Sequence, residues 1–304
     1  MAQGTPPLRP HIIVLGNLRR GSGKSTLAIH LAVGLMKAGR RVATLDTDFE
    51  RGTLSRYILN RRRFAHANEL ALDTPTHYRF RNAGGGAKPL ETETAQTNFV
   101  SSAIAAAEAG HDFIIIDTPS TLTKANLFAH ALADTIISPI NDSFLDLDAI
   151  VPSTKVTADI AQSVYTSAIH RAREARELVT SRTIEWWVIP NRIFSSLNTR
   201  NERTIRAALK EASQRLGFRI AAGIAERLLY RQLFPKGLTA FDPMEASLLG
   251  VKPTISHVLA RQDLRQLTSL INVTPDREND EWRMDPKATY TRHRHAAGHN
   301  TAAE

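Results

Sequence analysis

The sequence predicts an α/β fold, a doubly wound and mainly parallel sheet with helices on both faces. Three observations predict it. Short apolar, β-rich runs alternate with helical patterns, a glycine-rich turn follows the first run at once, and two later runs end on aspartate. Runs this short and apolar read as strands buried on both faces, and strand–helix alternation is the pattern of parallel sheets.

Taken in order, His11–Gly16 (HIIVLG), Arg41–Asp46 (RVATLD), Asp112–Asp117 (DFIIID), Asp134–Pro139 (DTIISP) and Glu185–Pro190 (EWWVIP) are the expected strands. Helices are expected at Lys24–Ala38, Ala95–Ala109 and Thr121–Leu132, then at Thr154–Val179, Thr199–Leu216 and Ile255–Ile271. Phe64–Thr94 contains Pro75, Pro89 and Gly84-Gly85-Gly86, so it reads as a loop insertion. The expected organisation is a flexible N-terminus over 1–10, one nucleotide-binding domain over 11–275 and a disordered polar tail over 276–304.

Composition narrows the function classes. At 42% hydrophobic and 23% charged, the 304 residues suit a globular domain and not a disordered chain or a fibre. There is no cysteine, which excludes disulfides, thiolate zinc and all-cysteine iron–sulfur clusters. The start lacks the apolar core of a secretory signal, and no run approaches the ~18 apolar residues of a membrane span. A cytoplasmic, membrane-free protein is expected. The net charge is +9, and because the stretch from Asp276 onward is slightly acidic, the excess lies in the folded body. A basic body suits a polyanionic partner.

The strongest constellation is Gly21-Ser22-Gly23-Lys24-Ser25-Thr26, placed between the first strand and the first helix. Glycines there let backbone N–H groups wrap phosphates, and the helix N-terminus adds a favourable dipole. Lys24 would reach the β- and γ-phosphates, and the Ser25 hydroxyl would bind Mg²⁺. Asp46 and Asp48 close the second strand and Asp117 closes the third. Parallel strands gather their C-termini at one edge, so these carboxylates would converge on the phosphates. Asp117 suits the metal, and one of Asp46 and Asp48 suits an attacking water. Helix capping is the competing reading of each aspartate.

The set Gly21–Thr26, Leu45-Asp46-Thr47-Asp48 and Ile116-Asp117-Thr118-Pro119 resembles the deviant Walker A P-loop NTPases of the ParA/MinD group. Ser138–Asp148, Val188–Arg192, Arg215–Ile220, Tyr230–Asp242 and Arg51–Arg62 make the chain most similar to the MipZ branch of that group. The resemblance implies Mg²⁺-dependent, slow ATP hydrolysis, with Asp48 positioning the water, Asp46 and Asp117 around the metal, and Asn191 at the adenine. It further implies an ATP-bound homodimer that binds double-stranded DNA non-specifically, is recruited by a ParB-like protein and inhibits FtsZ assembly, hence a nucleoid-associated location. A ParA-type partition ATPase and a nucleotide-binding scaffold without turnover are the alternatives.

Three positions depart from the group's pattern. Arg19 replaces the lysine that reaches across the dimer, keeping the charge in a planar fork. Arg20 replaces a glycine, and a positive φ there would cost ~1–2 kcal/mol. Ser120 replaces the glycine after Asp-Thr-Pro.

A second constellation lies further on. At 100° per residue, Arg200, Arg203, Arg206 and Lys210 fall within about 120° of a helical wheel, opposite Ile205, Ala208, Leu209, Ala212 and Leu216. Arg219 and Arg231 extend the basic surface. Arginines so spaced suit phosphate contacts along a duplex without a base code.

Overall fold

The computed structural model describes residues 9–80, 93–141, 143–151, 163–193 and 200–271. The regions 1–8 and 272–304 lie outside the described residues, as do the expectations placed on them. The strands are β1 (His11–Leu15), β2 (Val42–Asp46), β3 (Thr76–Arg79), β4 (Phe113–Asp117), β5 (Thr135–Asn141), β6 (Glu185–Ile193), β7 (Arg219–Ile220) and β8 (Ile224–Ala225). The helices are α1 (Lys24–Lys37), α2 (Thr53–Ala67), α3 (Glu93–Glu108), α4 (Lys124–Leu132), α5 (Phe144–Asp148), α6 (Val164–Thr180), α7 (Arg200–Leu216), α8 (Leu228–Leu233), α9 (Ala246–Leu249) and α10 (Ile255–Ile271).

The sheet runs β3-β2-β4-β1-β5-β6-β7, with β8 also pairing with β6. Every pairing is parallel. The chain winds outward from β1 in one direction through β2 and β3, then in the other through β5 and β6. The turn after β1 therefore stands at the topological switch point, where open α/β sheets bind ligands.

Two cores flank the sheet. One holds Ile12, Val14, Ala43, Leu45, Ile114 and Ile116 with the buried sides of α3, α4, α6 and α7. The other holds Ile13, Leu15, Val42, Phe113 and Ile115 with α1, α2, α8 and α10. Alternate residues of one strand feed opposite cores, which is why these strands read as unbroken apolar runs.

Two sequence expectations change. Phe64–Thr94 is not one loop: Phe64–Ala67 completes α2, Thr76–Arg79 forms edge strand β3, and α3 opens at Glu93. Thr76–Arg79 pairs with Ala43–Asp46, so its strand character comes from a neighbour distant in sequence. The long helix expected at Thr154–Val179 begins at Val164, because the Ser163 side chain accepts the Thr166 N–H and caps it. Residues 152–162 lie outside the described set. No described helix is long and apolar enough to cross a membrane.

Candidate nucleotide site and its comparisons

The turn after β1 is shaped by two left-handed glycines, Gly21 at φ 74° and Gly23 at φ 99°. Gly23 is the residue before α1, and a Cβ there would collide with the Asn191 amide. Only glycine satisfies both the angle and that close approach. Asn191, near the end of β6, donates from Nδ2 to the Ser22 carbonyl at 2.7 Å and so braces the loop. The Ser22 hydroxyl is buried with no hydrogen-bond partner among the described residues.

Lys24 opens α1, and its ammonium donates to the carbonyls of Asn17 (2.9 Å) and Arg19 (3.2 Å) and to Ser120 Oγ (2.9 Å). Burial lowers its pKa, while Asp117 and Asp48 act to raise it. Ser120 also donates to the Arg19 carbonyl, joining the segment after β4 to the phosphate loop.

Asp117 and Asp46 stand side by side at the ends of β4 and β2, in register. Asp117 is buried, and burial first and Asp46 next push its pKa upward, while a hydrogen bond with Ser25 and the Lys24 charge act against this. Its Oδ1 has no partner among the described residues. A buried acceptor with an open lone pair, beside a serine hydroxyl at a helix N-terminus, fits a hard divalent cation that ligates through oxygen.

Asp46 is engaged differently. Its Oδ2 accepts the Ser55 N–H and hydroxyl, both at 2.8 Å, and its Oδ1 accepts the Asp48 N–H at 3.1 Å. The competing capping reading is the one its contacts display, although it caps α2 from another element. Asp48 accepts the Arg51 N–H at 3.0 Å, and a cavity of about 300 Å³ lies against Asp46, Asp48 and Ser55.

A second cavity of about 300 Å³ extends from Gly23, Thr26 and Asn191 to His30, Arg227 and Tyr230. It adjoins the phosphate loop on the side of Asn191.

Arg19 folds back onto its own chain: its Nε meets Asp146 Oδ1 at 3.2 Å, and its N–H donates to Asn17 Oδ1. Asp146 is set by Ser143, which caps α5, and by the Asn141 N–H, which donates to its Oδ2 at 2.9 Å. Arg20 is exposed and does not adopt a positive φ, so the strain considered for it is absent. Asn17, Ser55 and Asp146 are site residues that motif reading missed, and Ser120, noted in the sequence only as a departure from the group's glycine, joins the site through the Lys24 ammonium. Asp146 alone had a local signal, the Ser143-x-x-Asp146 capping pattern.

On α7, Ile205, Leu209, Ala212 and Leu216 are buried, while Arg206 and Lys210 are exposed, as the wheel required. The side chains of Arg200 and Arg203 lie outside the described residues. Arg219 pairs with Glu185 at 3.1 Å and lies over the Trp187 ring, and Arg231 pairs with Glu226 at 3.1 Å. These are exposed pairs of small energy.

A parallel sheet with a glycine loop at its switch point, a lysine at the helix start and aspartates at adjoining strand ends defines a P-loop nucleotide-binding protein. Comparison with known proteins narrows the class. Residues 11–274 match the family model of the ATPase MipZ, and the chain belongs to that family, within the ParA/MinD ATPases. It is 25% identical to the chromosome-partitioning ATPase Soj of Treponema pallidum, over 64% of this chain and 85% of that protein. It is 28% identical to the chromosome partitioning protein ParA of Myxococcus xanthus, over 46% of this chain and 55% of that one. Among solved structures, a Cyanothece McdA variant in complex with ATP gives a TM-score of 0.59 at 17% identity, covering 88% of this chain and 98% of that one. MinD of Pyrococcus horikoshii with Mg-ADP gives 0.51 at 16%, covering 86% and 96%. At these identities the structures speak for the fold.

Proposed function

We propose that the chain is an ATP-switched spatial regulator of the MipZ type. It binds ATP and Mg²⁺, hydrolyses ATP slowly, and as an ATP-bound homodimer binds duplex DNA, is recruited by a ParB-like protein and restrains FtsZ assembly. The observation that carries this reading is the union of Lys24, Ser25 and the open Asp117 oxygen beneath one glycine loop, in a chain of the ATPase MipZ family.

Each residue then has a task. The N–H groups of Gly21–Thr26 and the Lys24 ammonium hold the phosphates, Lys24 exchanging its present carbonyl and hydroxyl acceptors for phosphate oxygens. Ser25 and Asp117 hold Mg²⁺, which when bound supplies positive charge against the phosphates. Asp46 anchors the turn that carries Asp48, and Asp48 orients the attacking water. Asn191 and the cavity beyond it receive the adenine. Arg19 stabilises charge on the partner's nucleotide once it leaves Asp146.

The route from nucleotide to DNA runs through α5. Asp146, the partner of Arg19, belongs to α5, and α5 packs on α7, the helix bearing Arg200, Arg203, Arg206 and Lys210. Release of Arg19 would thus be felt where DNA binds.

Solution mass by light scattering tests the switch. The mass should double with Mg²⁺ and a slowly hydrolysed ATP analogue and stay monomeric with ADP. Monomer in both, with nucleotide binding confirmed, would overturn the switch and favour the scaffold. If about four α7 side chains neutralise phosphates, log K for DNA falls against log[salt] with a slope near −3.6. A slope near zero removes the DNA assignment. A ParA-type partition role is the second reading, favoured by the partition ATPases among the relatives. An undisturbed FtsZ polymer would select it.

A further inference from the structure

Asp46 is the third member of the alternating set Val42, Thr44 and Asp46, which points to the α2 side of the sheet, opposite Ala43 and Leu45. Helix α2 begins after Gly52, whose side of the turn offers no side-chain cap. The Ser55 N–H, in the first turn of α2, is satisfied instead by Asp46 Oδ2 at 2.8 Å. The Ser55 hydroxyl donates to the same oxygen, also at 2.8 Å.

That hydroxyl has one proton, and Asp46 takes it. What Ser55 Oγ presents to its other neighbour, His77 Nε2 at 2.9 Å, is a lone pair, so Nε2 carries the imidazole hydrogen. His77 Nδ1 is then an acceptor, and it lies 3.0 Å from the hydroxyl of Thr44, its register partner across β2 and β3, nearer than the Thr76 carbonyl that the same hydroxyl reaches at 3.4 Å. A single neutral tautomer satisfies both contacts. Burial, with Arg62 and Arg79 adding to it, holds His77 neutral at a pKa of about 4. The chain ends at the Asp48 N–H, which donates to the other Asp46 oxygen at 3.1 Å.

We propose that His77, on the edge strand β3, is a positioning residue for the hydrolytic turn, fixing the Ser55 hydroxyl on Asp46 and through Asp46 the backbone of Asp48. This rests on the reading of Asp48 as the water-orienting residue. His77 touches no phosphate and no reacting atom. Its task is to keep the Ser55 hydroxyl from turning away, which would free the Asp46 carboxylate to rotate and release the Asp48 N–H. Groups that act on a reaction need placement within ~0.5 Å, and their supports supply it.

The test uses the full chain and the variants His77→Ala, His77→Gln and Ser55→Ala. Three quantities are read: the imidazole ¹⁵N shifts, hydrogen exchange at the Asp48 amide, and kcat with KM for ATP. The expected wild-type spectrum is that of the Nε2–H tautomer. His77→Ala and Ser55→Ala should speed Asp48 exchange and lower kcat about 10-fold, the order found when supporting residues are lost, with KM unchanged. His77→Gln, whose amide can still donate to Ser55, should recover most of both. A merely structural role would instead speed exchange throughout β2 and β3 and leave the kcat-to-KM split unaltered. An Nδ1–H tautomer, or unchanged Asp48 exchange in His77→Ala, overturns the proposal. A wild type that binds ATP without turning it over would defeat the hydrolytic reading alone, and Asp48 exchange would still decide whether His77 positions the turn.

Discussion

Arg61 of α2 and Asp242 form an ion pair with essentially no solvent exposure, 0% and 2%. The guanidinium is bidentate, Nη1 to Oδ2 and Nη2 to Oδ1, each at 2.7 Å. Arg61 also donates to the carbonyls of Asp73 and Gly237, and Asp242 accepts the Thr239 N–H and hydroxyl. Four of the five guanidinium N–H groups and both carboxylate oxygens are engaged, so removing one partner strands the other. The expected cost of Arg61→Met or Asp242→Asn is about 3–5 kcal/mol, out of a total stability on the order of 5–15 kcal/mol. For a domain of this size that is a fall in Tm of about 10 °C. Burial alone would raise the Asp242 pKa, but the Arg61 hydrogen bonds and charge, with the Thr239 donors, outweigh it and hold it below the usual carboxylate range. A carboxyl so depressed contributes stability that is complete above about pH 4 and lost as pH falls through its folded pKa. Urea unfolding from pH 7 to pH 2 should therefore show wild type and Asp242→Asn far apart at neutrality and converging in acid. The double variant Arg61→Met/Asp242→Asn should lose less stability than the two single losses added together. A single-variant cost below about 1 kcal/mol, or curves that stay parallel into acid, would refute the account.

The remaining predictions are briefer. Gly237 sits at φ 62°, and a Cβ there would run into the Arg61 backbone, so Gly237→Ala should destabilise by several kcal/mol in the same urea assay. His130 is fully buried, and burial lowers its pKa to about 4 against the backbone hydrogen bond to Asn126. Between pH 6.5 and 4 the unfolded chain takes up a proton that the folded chain refuses, so acidification to pH 5 costs about 2 kcal/mol through this one residue. His130→Gln should lose that much less stability than wild type over the same interval, and equal losses would contradict it. Asp146→Ala releases Arg19, and with an ATP analogue it should dimerise at lower protein concentration than wild type in sedimentation experiments. Lys24→Ala should abolish nucleotide binding measured by calorimetry, while leaving the fold intact by circular dichroism.

Much of this protein is local, and local features are what a sequence displays. The glycine loop, the strand before it, the helix after it and the aspartates at strand ends are set by residues adjacent in the chain. Their residue types and apolar periodicity are visible without the distant Asn191 that braces the loop. The two faces of α7 were legible for the same reason, since a helix repeats its own geometry. The His11–Leu15, Val42–Asp46 and Phe113–Asp117 strands needed only their apolar runs.

Tertiary structure decided what depends on a second element. Thr76–Arg79 is a strand because β2 supplies its hydrogen bonds, and the β-favouring Thr76 and Tyr78 are too short a signal to mark it out alone. The resemblance puts Asp46 around the metal, and the fold also turns it to α2, where Ser55 brings it two donors from nine residues away. Arg19 reads as a charge reaching outward, but the capped turn of α5 places Asp146 beside it, and an arginine takes the nearest carboxylate. Spacing along the chain fixes which groups are available. Only the packed sheet fixes which of them lie within 3 Å of one another, because hydrogen bonds and ion pairs fall away over distances much shorter than the span of a secondary-structure element.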